Sequence, residues 1–253
     1  MSAICSEIIR YWSGRAETYS LGNQQELRGD KTGEWLESLT GAFPYCTNKK
    51  KMKILDIGTG PGFFPILLAS DGYLPDAADC TPEMLRRAQE NAGEYAERIR
   101  FHQMYAGELH FPDGYFDAVI NRNLTWNLED PEEVYREWCR VLKPGGRLVI
   151  FDANWYRYLY DEDSLAGYEA DRKRVAEEAI SDYNIGENFD RMERIARDLP
   201  LSPIDRPEWD EQALLRAGFR KVTIDRDVWK KVWTREEKIN YASTPMFRIV
   251  AEK

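Results

Sequence analysis

The residues of this chain with the greatest chemical potential run Asp56-Ile57-Gly58-Thr59-Gly60-Pro61-Gly62. Three glycines at alternate positions let a backbone turn sharply and come close to a ligand. A helix that starts directly after such a loop turns free N–H groups toward a negative or polar ligand end. A dinucleotide fingerprint spaces its glycines G-x-G-x-x-G. Here the third glycine comes one place early, and position 63 is Phe. The Lys-Ser/Thr pair of a triphosphate-binding loop is missing, because Gly62 is followed by Phe63-Phe64. Asp56 sits directly ahead of the glycines, where a phosphate cradle would avoid a carboxylate.

The loop needs a strand before it and a helix after it, and the sequence supplies both. Ile54 to Ile57 is a short run ending in glycines, which reads as a buried strand, and Phe63 to Ser70 reads as a helix. Residues 73–79 form a second, poorer strand because of Pro75 and Asp76. Thr81 is expected as the N-cap of a helix with Pro82 at its first position, running through Met84, Leu85, Ala88 and Ala92. Further strands are expected over Ile99–Met104, Phe116–Ile120 and Arg147–Asp152. Asp130-Pro131 opens a helix, and Lys143-Pro144-Gly145-Gly146 reads as a turn. Residues 155–205 interrupt the alternation with helix-forming runs such as Glu169–Ile180. A helix over Glu208–Ala217 and strands near Lys221–Asp225 and Met246–Ala251 close the pattern. Residues 1–48 read as helical pieces separated by Gly14, Gly22, Gly29, Gly33 and Gly41. Alternating strands and helices argue an α/β fold with a mostly parallel sheet and helices on both faces.

Composition narrows the partners. The chain has 253 residues and a net charge of −9, from 35 basic and 44 acidic side chains. That balance argues against a broad nucleic-acid surface. Lys49, Lys50, Lys51 and Lys53 read as a solvated run ahead of a strand. Four cysteines without C-x-x-C spacing and two histidines give no expectation of a metal site or disulfide framework, and favour a reducing, cytoplasmic compartment. The first ten residues do not read as a signal peptide, and no apolar run is long enough to span a bilayer.

At this point the chain resembles the class I methyltransferases that use S-adenosylmethionine (SAM), of the small-molecule type. Leu55 to Gly62 looks like the family's glycine block. Asp79-Cys80-Thr81-Pro82-Glu83-Met84-Leu85 is similar to its pattern at the end of strand two. Phe111 to Asp117 resembles the approach to strand four, and Arg140-Val141-Leu142-Lys143-Pro144-Gly145-Gly146 resembles the block before strand five. The ordered blocks cover about residues 50–152. The resemblance implies a Rossmann-like, seven-stranded, mostly parallel sheet with a helical N-terminal cap (1–48). The cap precedes a SAM-binding domain (49–253) carrying a helical lid or acceptor insert (155–205) after strand five.

The resemblance also implies roles. Gly58, Thr59, Gly60 and Gly62 would face the methionine part of SAM, with Asp56 orienting that end directly or through water. Asp79 would accept hydrogen bonds from both ribose hydroxyls. Cys80, Met84, Tyr105 and Ala106 would flank the adenine, and Asn121 would meet the methionine amine or carboxylate. Two departures stand out. The stretch Met104-Tyr105-Ala106-Gly107 lacks the acidic residue that often contacts the adenine amine, and Trp126-Asn127-Leu128 stands where many relatives carry a histidine. A histidine base is therefore not carried over. Acceptor-site candidates are Tyr19 and Tyr11 in the cap, Asn123 and Trp126 after strand four, and Trp155 after strand five. The expected reaction is methyl transfer to a small-molecule acceptor by a monomer or homodimer, without nucleic acid, membrane or metal. A non-catalytic SAM-binding module, a protein methyltransferase and an NAD-dependent oxidoreductase remain as alternatives.

Overall fold

The structure is a computed structural model, and it describes residues 2–185 and 189–253. The strands are β1 (Ile54–Ile57), β2 (Asp76–Asp79), β3 (Arg100–Gln103), β4 (Phe116–Arg122), β5 (Leu142–Asp152), β6 (Lys221–Asp225) and β7 (Phe247–Glu252). They form one sheet in the order β3-β2-β1-β4-β5-β7-β6. β7 runs antiparallel to β5 and β6, and the other pairs are parallel. This is the seven-stranded, mostly parallel arrangement expected from the sequence. The order reverses at β1, which pairs with β2 on one side and β4 on the other. A crevice must open beyond the carboxyl ends of β1 and β4, where ligands bind in sheets of this kind.

Strand parity divides the core into two layers. Leu55, Ile57, Val119, Leu148 and Ile150 pack under Tyr135 and Trp138 of α5 (Pro131–Val141) and Ala213 and Leu214 of α8 (Glu208–Arg216). Ile54, Ala118, Ile120, Val149 and Phe151 face the opposite layer. It is built from Trp35 and Leu39 of α2 (Thr32–Thr40) and Phe63, Phe64, Leu67 and Leu68 of α3 (Phe63–Ser70). Asp56 shares the parity of Ile54, and Arg122 that of Ile120, so both point into the second layer's upper edge. Ile120 and Asp56 are register partners.

The N-terminal segment differs from the expected short pieces. α1 is one helix of 26 residues, Ala3–Arg28, running through Gly14 and Gly22. Neither glycine has an atom within 4 Å of where a Cβ would stand, so both lie on open flanks of the helix. Each costs about 1 kcal/mol of helix propensity, and packing against α4 (Pro82–Ala92) outweighs it. Ser13 donates to Glu83 (2.8 Å), and Gln24 donates to Asn91 (2.7 Å).

One local expectation holds and one is corrected. Thr81 occupies the N-cap of α4, with Pro82 at the first position, but its side chain makes no capping bond. The Asp79 carboxylate instead accepts from Thr81 N at 2.8 Å, tying the N-cap residue to the end of β2. Lys143-Pro144-Gly145-Gly146 does not form a separate turn. It is the irregular start of β5, whose register with β4 shifts between Phe116 and Ala118. Gly145 N and Gly146 O bond to Lys253, so the chain's end holds the irregularity in the sheet. After β5, α6 (Glu162–Glu177) and α7 (Phe189–Ala196) supply the helical insert. α6 begins earlier than expected because Asp161 caps it through Ser164 N (3.0 Å). Two short helices, α9 (Trp229–Val232) and α10 (Arg235–Asn240), precede β7. Among the described residues no helix is long and apolar enough to cross a membrane.

Candidate cofactor and acceptor cleft

The glycine loop leaves β1 in left-handed conformations that only glycine adopts without strain: Gly58 at φ 65°, Gly60 at φ 52° and Gly62 at φ 94°. A Cβ on Gly62 would stand 3.1 Å from the Ala88 Cβ, so the third glycine also lets α3 and α4 approach. Two bonds fasten the loop to β2. Thr59 N donates to Ala78 O (3.0 Å), and Gly60 N donates to the Asp79 carboxylate (2.9 Å).

Above the loop lies a cleft of about 830 Å³, counting its open mouth. Its walls include Gly58, Gly60, Asp79, Cys80, Met84, Tyr105, Ala106 and Asn123, and its roof is α1, through Cys5, Ile8, Trp12 and Tyr19. A smaller recess of about 320 Å³ adjoins it beneath Tyr19 and Asn23, floored by Asp56, Thr59 and Phe63. Tyr19, Gly58, Gly60 and Arg122 line both spaces. Most of the expected cofactor residues are thus brought together.

Two are not on the walls. Gly62 supports the turn from behind, and Asn121 is fully buried on the sheet's opposite face, its amide atoms lacking protein partners. Of the acceptor candidates, Tyr19 and Asn123 line the cleft. Tyr11 and Trp126 instead pack with Ile8, Met192, Ile195 and Leu199 behind it, and Trp155 lies against that cluster. Asn123 adopts φ 56°, and its carbonyl accepts the Trp126 indole N–H at 2.9 Å.

Sequence reasoning missed Arg122, Cys5, Ile8, Asn23, Leu124, Asn127 and Glu129. For α1 the signal was available. Cys5, Ile8, Trp12, Tyr19 and Asn23 recur three, four or seven positions apart, which is one helix face. Tyr11 falls off that face. For Arg122 the signal was parity: it alternates with Asn121 along β4 and shares the face of Asp56.

The electrostatics follow from burial. Burial pushes Asp56 up to about 7, with a smaller push from the charge of Asp79, while Arg122 pulls it down. Asp79 is also raised by burial, against the pull of the Thr81 and Gly60 N–H groups. Cys80 is pushed up to about 12 by burial and then by Asp79, so its thiol stays neutral and packs as an apolar group. Tyr105 is likewise raised to about 12, chiefly by burial. Arg122 is largely enclosed, which opposes its charge. A two-point ion pair with Glu26 of α1 (2.6 and 2.7 Å) overcomes that, so it remains protonated. His102 is held by Asp76 at the far edge of the sheet (2.8 Å), and neither histidine lines the cleft.

The donor set matches SAM. A glycine cradle closed to side chains, a carboxylate with spare lone pairs at the end of β2, and apolar walls beside it suit a nucleoside joined to an amino-acid tail. Among the described residues, no group of three or more His, Cys, Asp or Glu side chains is placed to hold a metal ion.

Comparison with known proteins agrees. Residues 55–150 match the model of a methyltransferase domain. Demethylmenaquinone methyltransferase of Thermus thermophilus is 39% identical over 113 residues, which cover 44% of this chain and 51% of that protein. The chain therefore spans about half the length of that relative. 27-O-demethylrifamycin SV methyltransferase of Amycolatopsis mediterranei is 27% identical over 225 residues, 85% of this chain and 76% of that one. Among solved structures, phosphoethanolamine N-methyltransferase 2 of Haemonchus contortus, in complex with SAM, superposes with a TM-score of 0.60. It is 17% identical, over 87% of this chain and 52% of its own. At that identity the likeness concerns the fold. The likeness to a methyltransferase domain thus covers residues 55–150, less than half of the chain.

Proposed function

We propose that the whole chain transfers a methyl group from SAM to a small-molecule acceptor. The observation that carries this reading is the roof: α1 closes the cleft over the glycine loop, and Ile8, Trp12 and Tyr19 leave room for a small ligand beside the cofactor. A folded protein or a duplex would need an open platform there. The relatives named above act, by their names, on a demethylmenaquinone and a demethylrifamycin, both small molecules.

In this reading Gly58, Thr59 and Gly60 hold the methionine tail, with Asp56 facing its ammonium. Asp79 accepts from the two ribose hydroxyls while keeping its bonds to Gly60 and Thr81. Cys80, Met84, Tyr105 and Ala106 enclose the adenine. Tyr19 and Asn123 stand at the reacting end, and Trp126, Tyr11 and Trp155 stiffen the wall behind them. Residues 1–48 act as the cap and 155–205 as the acceptor-side insert.

When bound, SAM supplies a methyl group on a sulfonium, whose departure leaves a neutral thioether. The protein's share is to align the acceptor with the methyl group and exclude water. No general base is required unless the acceptor must lose a proton in the same step.

The test is to incubate purified chain with SAM and a panel of small amines, phenols and quinols, and to measure S-adenosylhomocysteine. Acceptor-dependent formation of that product is expected. Tight SAM binding without turnover on any acceptor class would instead make the chain a binding module.

A further inference from the structure

The amino-acid tail of SAM carries one anion, its carboxylate, and two cationic centres lie within a few bonds of it. Among the described residues, the lining of the cleft and its recess contains three carboxylates, Asp56, Asp79 and Glu129, and a single cation, Arg122. Arg122 touches both spaces, at their junction, on the same sheet face as Asp56. Its guanidinium is fixed in place by the rings of Phe63 (4.3 Å) and Trp35 (4.8 Å). Its present partner is not part of the sheet. Glu26 reaches down from the last turns of α1 and takes both terminal nitrogens. Asn121, the neighbouring polar residue on β4, is buried on the sheet's other face and lines neither space.

Resting on the reading of this cleft as a SAM site, we propose that Arg122 receives the carboxylate of the cofactor's tail. Glu26 is then the resting counter-ion that the carboxylate displaces, so that filling the cleft releases one tie between α1 and the sheet. The stacked guanidinium stays put and the side chain on the helix moves. The remaining ties of α1, from Ser13, Ser20 and Gln24 to α4, do not involve Arg122 and persist. Glu26 thus competes with the cofactor for one cation, and the roof helix is loosened at its C-terminal end whenever the cofactor is seated.

The test compares SAM with decarboxylated SAM by calorimetry on the full chain. A charge-assisted bond to the carboxylate gives the wild type a preference for SAM of roughly tenfold or more. Arg122→Met should abolish that preference. Because this change strands Glu26, the double variant Arg122→Met/Glu26→Met, which removes both charges, should fold and show the same loss. Glu26→Gln should tighten SAM severalfold and leave decarboxylated SAM within about twofold. A preference that survives in the double variant overturns the proposal. So does weaker SAM binding by Glu26→Gln, which would make Glu26 a support of the bound state. If the wild type binds neither compound, the methyltransferase reading itself fails and takes this inference with it.

Discussion

The two sides of the cleft differ in how far along the sequence the bonds that hold them reach. The side read as the cofactor's rests mainly on two short stretches, 56–62 and 79–84, tied by bonds between neighbouring elements: Thr59 N to Ala78 O, and Gly60 N and Thr81 N to the Asp79 carboxylate. The side read as the acceptor's is lined by α1 and the loop after β4, and backed by the loop after β5, α7 and the segment before α8. Its backing is held by bonds between residues far apart in sequence. Asp152, at the end of β5, is fully buried. It accepts from Trp126 N (3.0 Å), Trp155 Nε1 (2.9 Å), Ala153 N (2.9 Å) and Arg206 (3.2 Å). Arg206 in turn bonds Asp210 through two nitrogens (2.7 and 3.0 Å). One buried network therefore fixes both tryptophan-bearing loops to the end of the insert. The two sets of bonds share no residue, so one side can be remodelled without disturbing the other.

The largest effect should come from breaking that network. Arg206→Met leaves Asp152 and Asp210 buried without their cation, which costs about 3–5 kcal/mol. Chemical denaturation should show a loss of that size. Titration of the folded fraction should still return a dissociation constant for S-adenosylhomocysteine within about threefold of wild type. A much larger loss of affinity would mean the two sides are one unit.

Next in size is the converse experiment. Asp79→Ala removes the acceptor for the ribose hydroxyls and the tie from Gly60 to β2, each a bond to a charged group. Each such bond is worth about 1.5–3 kcal/mol. Calorimetry should show at least about a hundredfold weaker binding of S-adenosylhomocysteine. Stability should fall less than for Arg206→Met. Near-normal affinity would reduce Asp79 to the cap of α4.

This contrast also explains what could be read in advance. The strand–glycine–helix unit and the carboxylate ending β2 follow from local pattern, because Gly58, Gly60 and Asp79 act within a few residues of their own elements, whereas the seven-stranded sheet was implied by the resemblance. The matching family model likewise spans 55–150 and stops short of α1 and the insert. Arg122 was hidden because its importance depends on Glu26, far away in sequence, and on which of two adjacent polar residues faces Asp56. Tyr11 and Trp126 look like pocket residues by type, and only the packing of α7 shows them filling a core with Met192 and Ile195. The Asp152–Arg206 network has no local signature at all.

A smaller effect is expected from pH. Burial raises Asp56 to about 7, well above the ordinary value near 3.9. Its contribution to stability is therefore complete below about pH 4 and is lost as pH rises through about 7. The cofactor's ammonium needs the opposite, an ionised Asp56. SAM affinity should rise up to about tenfold per unit from pH 5.5 to 7 as binding releases a proton. Asp56→Asn should flatten most of that slope, leaving the part due to Asp79, which is shifted in the same direction. An unchanged slope in the variant would take Asp56 out of contact with the tail.

The smallest effect probes the roof. If α1 is one helix whose apolar face covers the cleft, Gly14 and Gly22 are simply poor helix residues on its open flanks. Neither meets any atom within 4 Å of an added Cβ. Gly14→Ala and Gly22→Ala should then each stabilise the protein by about 0.5–1 kcal/mol, through helix propensity and a less flexible unfolded chain. Cofactor affinity should not change, since the cleft is lined from the opposite face by Trp12, Tyr19 and their neighbours. Were α1 required to break at either glycine when the acceptor enters, the same substitutions would still raise the melting temperature while slowing turnover. Measuring stability and turnover on the same variant therefore separates a rigid roof from a hinged one.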